Sequence, residues 1–255
     1  MKTWIEQEIT GFVKQAGLRT QTAWGKPLVA FASAYDELFA RLKTLIGPTH
    51  AAPDELLDDA QTIIAYFLPF DRSIVRSNRP GDKASHEWAV AYVETNHLIT
   101  AINRHLAHAL AERGYKTVVL PPTHNFDQER LVSDWSHKHV AYIAGLGRFG
   151  LHHMLITGEG CCGRLGSLIT TAPIEATPRP VEEYCLYKHN HTCQVCVKRC
   201  VGAALTESGL DRHRCYAICL ENAELHKEQG LADVCGKCVS MVPCSFENPV
   251  AKLSR

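Results

Sequence analysis

Nine of the chain's eleven cysteines fall within the 60 residues from Cys185 to Cys244. They run Cys185, Cys193, Cys196 and Cys200, then Cys215, Cys219, Cys235, Cys238 and Cys244. Thiolates two and three residues apart converge on one soft metal centre from a single turn of backbone, so this stretch is read first as metal-binding. A Cys-x2-Cys-x3-Cys run, as in Cys193, Cys196 and Cys200, sends its last cysteine away from the first two. That spacing suits two 4Fe–4S clusters whose ligand runs are interleaved.

The sequence then divides into two sets. Cys185, Cys193, Cys196 and Cys244 form the first, and Cys200, Cys215, Cys235 and Cys238 the second. Cys161, Cys162 and Cys219 are left over, although Cys215 and Cys219 stand one helical turn apart and either suits the second set. The pattern departs from the usual ferredoxin run. Asn190 stands where its first cysteine would fall, Cys185 takes that role, and Val201 replaces the proline after the last cysteine. Two other readings compete. Cys193, Cys196, Cys235 and Cys238 alone make a four-cysteine zinc site, which would leave a zinc-stabilised binding module with no redox chemistry. Disulfides are disfavoured by the odd cysteine count and by the opening MKTWIEQEITGFVKQAG, which is not an export signal.

Composition bounds the rest. The chain has 255 residues, is 45% hydrophobic and carries no formal net charge. That suits a soluble globular protein with one large domain, or one domain plus a small module, and leaves no electrostatic footprint for nucleic acid. No apolar run approaches the ~20 residues of a membrane span, so a cytoplasmic protein with no membrane partner is expected.

The elements that must position the cysteines follow from periodicity. Residues 3–16, 35–45 and 87–113 read as amphipathic helices, the last being the longest. TIIAYFLPF (62–70) reads as a buried strand, KTVVLP (116–121) as the next strand, and the polar stretch 71–86 as a loop. Ser133 or Asp134 is expected to cap a helix running to Ile143. Residues 153–157 and 167–174 are expected to pair as a hairpin across GEGCCGRLG, with a proline-rich linker through Pro173, Pro178 and Pro180 beyond it.

Between them lies AGLGRFGL, where Gly145, Gly147 and Gly150 allow tight turns and close approach of backbone to a ligand. Their spacing copies the G-x-G-x-x-G dinucleotide fingerprint, but here a helix precedes and a strand follows, the reverse of what that fingerprint needs. A glycine corner beside a hairpin is instead the kind of place that cradles a large flat cofactor.

PDELLDDAQTIIAYFLPF, HVAYIAGLGRFGLHHMLITGEG, GRLGSLIT and the cysteine tail together resemble the epoxyqueuosine reductase-like proteins, relatives of the reductive dehalogenases. The resemblance covers most of residues 50–248. It implies an α/β (α+β), nitroreductase-like domain that binds cobalamin (residues 1–178), followed by a ferredoxin-like module with two 4Fe–4S clusters (179–255). It also implies an oxidoreductase in which an external donor of ferredoxin or flavodoxin type feeds electrons through the clusters to the corrinoid. The substrate would be a small molecule or another corrinoid. Carried over position by position, Gly145, Leu146, Gly147, Arg148 and Gly150 would contact the corrinoid, with Arg164, Gly166 and Ser167 lining the same pocket. Asp134 is the nearest candidate for the family's proton-donating aspartate, although LVSDWSHKH does not match that motif. The family's tRNA enzymes carry a C-terminal helical-repeat region, whereas this sequence stops at Arg255, so tRNA epoxyqueuosine reduction is a disfavoured alternative. The mismatch at Asp134 also leaves room for an electron-transfer or activator protein that reduces a corrinoid without a substrate of its own.

Several histidines invite a functional reading. His137 and His139 are expected to be surface or capping groups. His152 and His153 are expected to alternate across a strand, so that at most one enters a pocket.

Overall fold

The computed structural model describes residues 1–123 and 126–253. In order the chain forms α1 (Lys2–Ala16), β1 (Leu28–Ser33), α2 (Glu37–Leu45), α3 (Pro53–Leu56), β2 (Thr62–Pro69), α4 (Arg72–Ser77) and α5 (His86–Ala111). There follow β3 (Thr117–Val119), β4 (Phe126–Asp127), β5 (Val132–Ser133), α6 (His137–Ile143), β6 (Gly147–Phe149), β7 (Leu155–Thr157) and β8 (Gly163–Thr170). The cysteine-rich end supplies α7 (Leu186–Asn190), α8 (Val195–Lys198) and α9 (Arg212–Leu225).

The main sheet has the order β1-β2-β8-β3 and every pair in it is antiparallel. All eight residues of β2 are buried, because helices cover both faces of the strand. Successive side chains alternate. Ile64, Tyr66 and Leu68 share a cluster with Ile5 and Ile9 of α1 and Ile99 and Ile102 of α5. Ile63, Ala65 and Phe67 share another with Phe39 of α2 and Val140 and Ala141 of α6. Each fully buried Ile, Leu or Phe contributes about 1.5–3 kcal/mol, so these two layers fix the frame on which everything else rests.

A third apolar cluster joins this frame to the cysteine-rich end. Phe70, Trp88, Leu151 and Ile156 pack with Cys161, Cys162, Cys185, Cys196 and Cys244. The backbone is stitched there too: Cys161 N–H donates to Cys244 O (3.0 Å) and Cys162 N–H to Ser245 O (3.3 Å). Gly160 permits this contact, since a Cβ on it would lie 2.3 Å from Ser245 O. Position 178, the expected domain boundary, lies in the irregular stretch between β8 and α7.

The structure corrects four local expectations and adds one strand. Residues 71–86 are not all loop: Asp71 accepts from Ser73 N–H and caps α4, whose Ile74 and Val75 are buried. β1 (LVAFAS) is a strand that local periodicity did not mark. The helix expected from Ser133 or Asp134 starts at His137 after Ser136, because Ser133 is already paired in β5. β8 does not pair with β7. It inserts between β2 and β3, while β7 pairs with β6, so part of the glycine corner is itself strand. His152 and His153 lie in the turn between β6 and β7, with His153 at φ 59°, so strand alternation does not govern them. Alternating apolar residues reveal a strand but not its partner, which depends on segments distant in sequence.

Candidate metal and cofactor site

The two cysteine sets gather in two different places. Cys185, Cys193, Cys196 and Cys244 line a small cavity of about 20 Å³, closed by His152, Val242 and Pro243. Burial raises the Cys196 thiol to about 12, and the neighbouring Cys244 and Cys185 add to that rise. Cys200, Cys215, Cys219, Cys235 and Cys238 line a cavity of about 320 Å³. Burial pushes the Cys238 thiol up, with Cys235, Cys215 and Cys200 the next causes. Four thiols crowded together resist ionising one another, and a shared cationic centre relieves that repulsion. This donor chemistry fits an iron–sulfur cluster in each place.

The zinc alternative fares differently. Its four cysteines are divided, Cys193 and Cys196 lining the small cavity and Cys235 and Cys238 the large one. All eleven cysteines are free thiols, so the disulfide reading is not realised.

Local structure holds each ligand run. Leu205 N–H donates to Cys200 Sγ (3.3 Å) as the chain turns out of α8. The Cys235–Cys238 turn leans on the loop after α4. Asn78 Nδ2 donates to Cys235 O (3.0 Å), and the buried Lys237 ammonium donates to Asn78 O (2.9 Å) and Pro80 O (2.7 Å). Gly236, at φ 71°, lets that turn lie against Trp88, whose ring atom would be 2.3 Å from a Cβ there. On α9, Cys219 donates to Cys215, and this hydrogen bond, with Lys138 nearby, brings the Cys215 thiol down to about 7. Its partner Cys219 is pushed up.

The large cysteine cavity abuts a second cavity of about 400 Å³, bounded by residues 122–123, Phe126 and 131–133, by α6 and by the start of β8. The two share Lys138, Met154, Cys161, Gly163 and Arg164 and so form one continuous cleft. Among the described residues, the lining of the 400 Å³ part includes Lys138, Arg164 and Arg212 and no carboxylate. Arg164 is held by Asn96 Oδ1 (2.7 Å) and by the face of Tyr92 (4.2 Å to the ring centre). Its Nε is buried with no hydrogen-bond partner. An unpaired buried donor is costly, and a polar ligand in the cleft would satisfy it. The cleft therefore fits the amide- and phosphate-bearing rim of a corrinoid.

The other residues expected around the corrinoid are placed otherwise. Gly145, at φ 88°, faces Pro178, whose O lies 2.8 Å from where a Cβ would sit. Gly147 lies against β7, with Ile156 O at 1.9 Å from a Cβ position, and Gly150 lies against the His152 ring. These glycines admit the protein's own chain, and Gly145, Leu146 and Gly147 line neither part of the cleft. Arg148 pairs with Glu183 (2.8 Å) and lines neither part of the cleft. Gly166 makes room for the Tyr66 ring. Ser167 Oγ is buried between Trp135 Nε1 (3.0 Å) and His137 Nδ1 (2.8 Å). Asp134 is exposed, accepts from Thr49 Oγ1 (2.6 Å) and does not line the cleft.

His137 corrects another expectation, since it is buried. Its Nε2 donates to Pro121 O (2.9 Å), and burial lowers its pKa to about 4. His152, expected only as one of two neighbouring histidines of which at most one would enter a pocket, lies against the first cysteine set. That residue is 4% exposed, with Nε2 3.3 Å from Cys244 Sγ.

The sequence matches no family model and no curated protein. Solved structures are similar in fold. One is epoxyqueuosine reductase from Bacillus subtilis with its catalytic loop swung out of the active site, at 18% identity and TM-score 0.56 over 94% of this chain and 66% of that one. Another is an epoxyqueuosine reductase with an epoxyqueuosine-modified tRNA-Tyr stem loop, at 19% identity and TM-score 0.58, again over 94% and 66%. A catabolic reductive dehalogenase is similar at 16% identity and TM-score 0.56, over 95% of this chain and 36% of that one. The chain thus spans just under two thirds of these two reductases and about a third of the dehalogenase. The resemblance seen in the sequence is borne out in a shared mixed α/β fold with antiparallel sheets.

Proposed function

We propose that this chain is a corrinoid-dependent iron–sulfur reductase. The observation that carries the proposal is the separate gathering of two four-cysteine sets, the second of which opens directly onto a cleft with cationic walls. In this reading Cys185, Cys193, Cys196 and Cys244 hold one 4Fe–4S cluster, and Cys200, Cys215, Cys235 and Cys238 the other. When bound, the clusters supply one-electron transfer and the corrinoid supplies a strongly reducing, nucleophilic metal.

The chain's own residues provide position and charge. Lys138, Arg164 and Arg212 favour a ligand or substrate that carries negative charge, which is the substrate class we propose. Arg164 Nε offers a buried N–H to one polar group, while Asn96 and Tyr92 fix the guanidinium plane. Trp88 and the Asn78–Lys237 contacts hold the Cys235–Cys238 turn against the cleft. An external ferredoxin- or flavodoxin-type protein is the proposed electron donor. Among the described residues no helix is long and apolar enough to cross a membrane.

One observation favours a second reading, that of an activator which reduces a corrinoid on another protein. Asp134, the candidate proton donor, is bonded to Thr49 and is not among the residues that line the cleft. Transfer of the similar enzyme's tRNA stem loop to this chain has no comparable support here, since the chain carries no net charge.

Anaerobic purification followed by analysis for iron, zinc and cobalt tests the proposal. The expected protein is brown, carries about eight irons per chain and retains added cobalamin. A colourless protein holding one zinc would overturn it. Iron without cobalamin retention would leave the electron-transfer reading.

A further inference from the structure

His152 sits in the turn between β6 and β7, with its imidazole buried against the first cysteine set. Met154 N–H points at His152 Nδ1 (3.1 Å). A backbone amide can only donate, so Nδ1 must present its lone pair. The proton of the neutral ring is then on Nε2, and Nε2 lies 3.3 Å from Cys244 Sγ. The turn itself is closed by Gly150 N–H to Met154 O (2.9 Å) and His153 N–H to Gly150 O (3.1 Å), which fixes the ring. Gly150 makes the space: a Cβ there would be 2.6 Å from His152 Cε1 and 2.9 Å from Nε2. The Cys161 thiol approaches the same sulfur at 4.0 Å. His152, Cys161 and Cys244 form the one tight group of candidate metal-binding side chains among the described residues.

From this geometry we infer that His152 is a positioning residue which donates Nε2–H to the Cys244 sulfur and thereby raises the reduction potential of the first-set cluster above what four cysteines alone would give. The inference rests on the cluster assignment proposed above. One-electron reduction adds negative charge that spreads onto the ligand sulfurs. A fixed hydrogen-bond donor stabilises that charge, so the reduced form is favoured without any proton changing place. Gly150 then has a purpose in the glycine corner that concerns the cluster and not a ligand's approach.

The test is a mediated redox titration of the anaerobically purified full chain, followed by electron paramagnetic resonance. The first-set signal is assigned as the one that survives in Cys238→Ser. In His152→Ala, iron content is expected to stay at the wild-type level while the first-set reduction equilibrium shifts about tenfold toward the oxidised form, roughly 59 mV downward for a one-electron couple. The second-set signal stays fixed as an internal control. Gly150→Ala should move the first-set potential in the same direction by displacing the ring, and His152→Gln, which keeps an N–H donor, should restore part of the shift. Full iron content with unmoved first-set potential in both His152→Ala and Gly150→Ala overturns the inference and leaves the cluster reading intact. Loss of half the iron in both His152→Ala and His152→Gln also overturns it, because His152 would then be a ligand. A wild-type chain without iron overturns both readings together.

Discussion

The glycine corner at 145–150 and the cysteine run at 185–244 are the two most conspicuous motifs in the chain, and the structure uses them in opposite ways. The cysteines line cavities, whereas the glycines fill against protein. Cβ positions at Gly145 and Gly147 are blocked by Pro178 and Ile156 of the same chain. Both motifs advertise close approach. Thiol groups need a partner of particular chemistry, while a missing Cβ accepts any neighbour, so only the first motif names what comes near.

The sharpest way to break this contrast is Gly147→Ala. With Ile156 O 1.9 Å from the new Cβ, β6 and β7 cannot pair as they do. We expect a loss above about 4 kcal/mol, seen as insoluble or unfolded protein in circular dichroism. A folded protein that had merely lost cobalamin would return the glycine to a ligand-binding role. Next in size is the comparison of Cys196→Ser with Cys238→Ser. Each should lose about half the iron by metal analysis. If either removes all iron, or neither removes any, the two sets are not independent sites.

The pH dependence of stability probes the wall between cleft and sheet. His137 has a folded pKa of about 4, below its ordinary 6.5, chiefly because it is buried. The unfolded chain therefore binds a proton that the folded chain refuses between those values. The contribution is full above about pH 6.5 and is lost as pH falls toward about 4, amounting to about 3 kcal/mol. Chemical denaturation at pH 7 and pH 5 should show the slope, and His137→Gln should flatten it. Ser167→Ala removes the hydroxyl shared by Trp135 and His137, and should cost about 1–3 kcal/mol while cobalamin retention stays unchanged. The smallest effect is expected for Arg164→Gln, with cobalamin retained about tenfold less tightly in equilibrium dialysis and no change in iron; unaltered affinity would move the corrinoid out of this cleft.

Much of the frame was legible in advance. The periodicity of α1, α2 and α5 and the unbroken apolar run of β2 identified them, because a helix or strand buried on its apolar side carries that pattern in its own residues. β1 was missed: LVAFAS is short, and it is a strand only because β2 offers it an edge. The α4 turn was hidden in the same way, since among its own six residues just Ile74 and Val75 are buried. His137 illustrates a different limit. A polar ring gives no sign of burial until Pro121 and Ser167, distant in sequence, supply its two hydrogen bonds.

By itself the sequence determined the identity and number of the thiols, the order of the runs they belong to, and the elements whose repeat is local. Spacing of two or three residues is set by one turn of backbone, so no distant segment can alter it. Only the tertiary structure decided which sulfurs share a cavity, that β8 lies between β2 and β3, and that His152 reaches Cys244 across 92 residues of chain. Those contacts arise where helices and strands remote in sequence bury their apolar faces against one another, and no local pattern records that meeting.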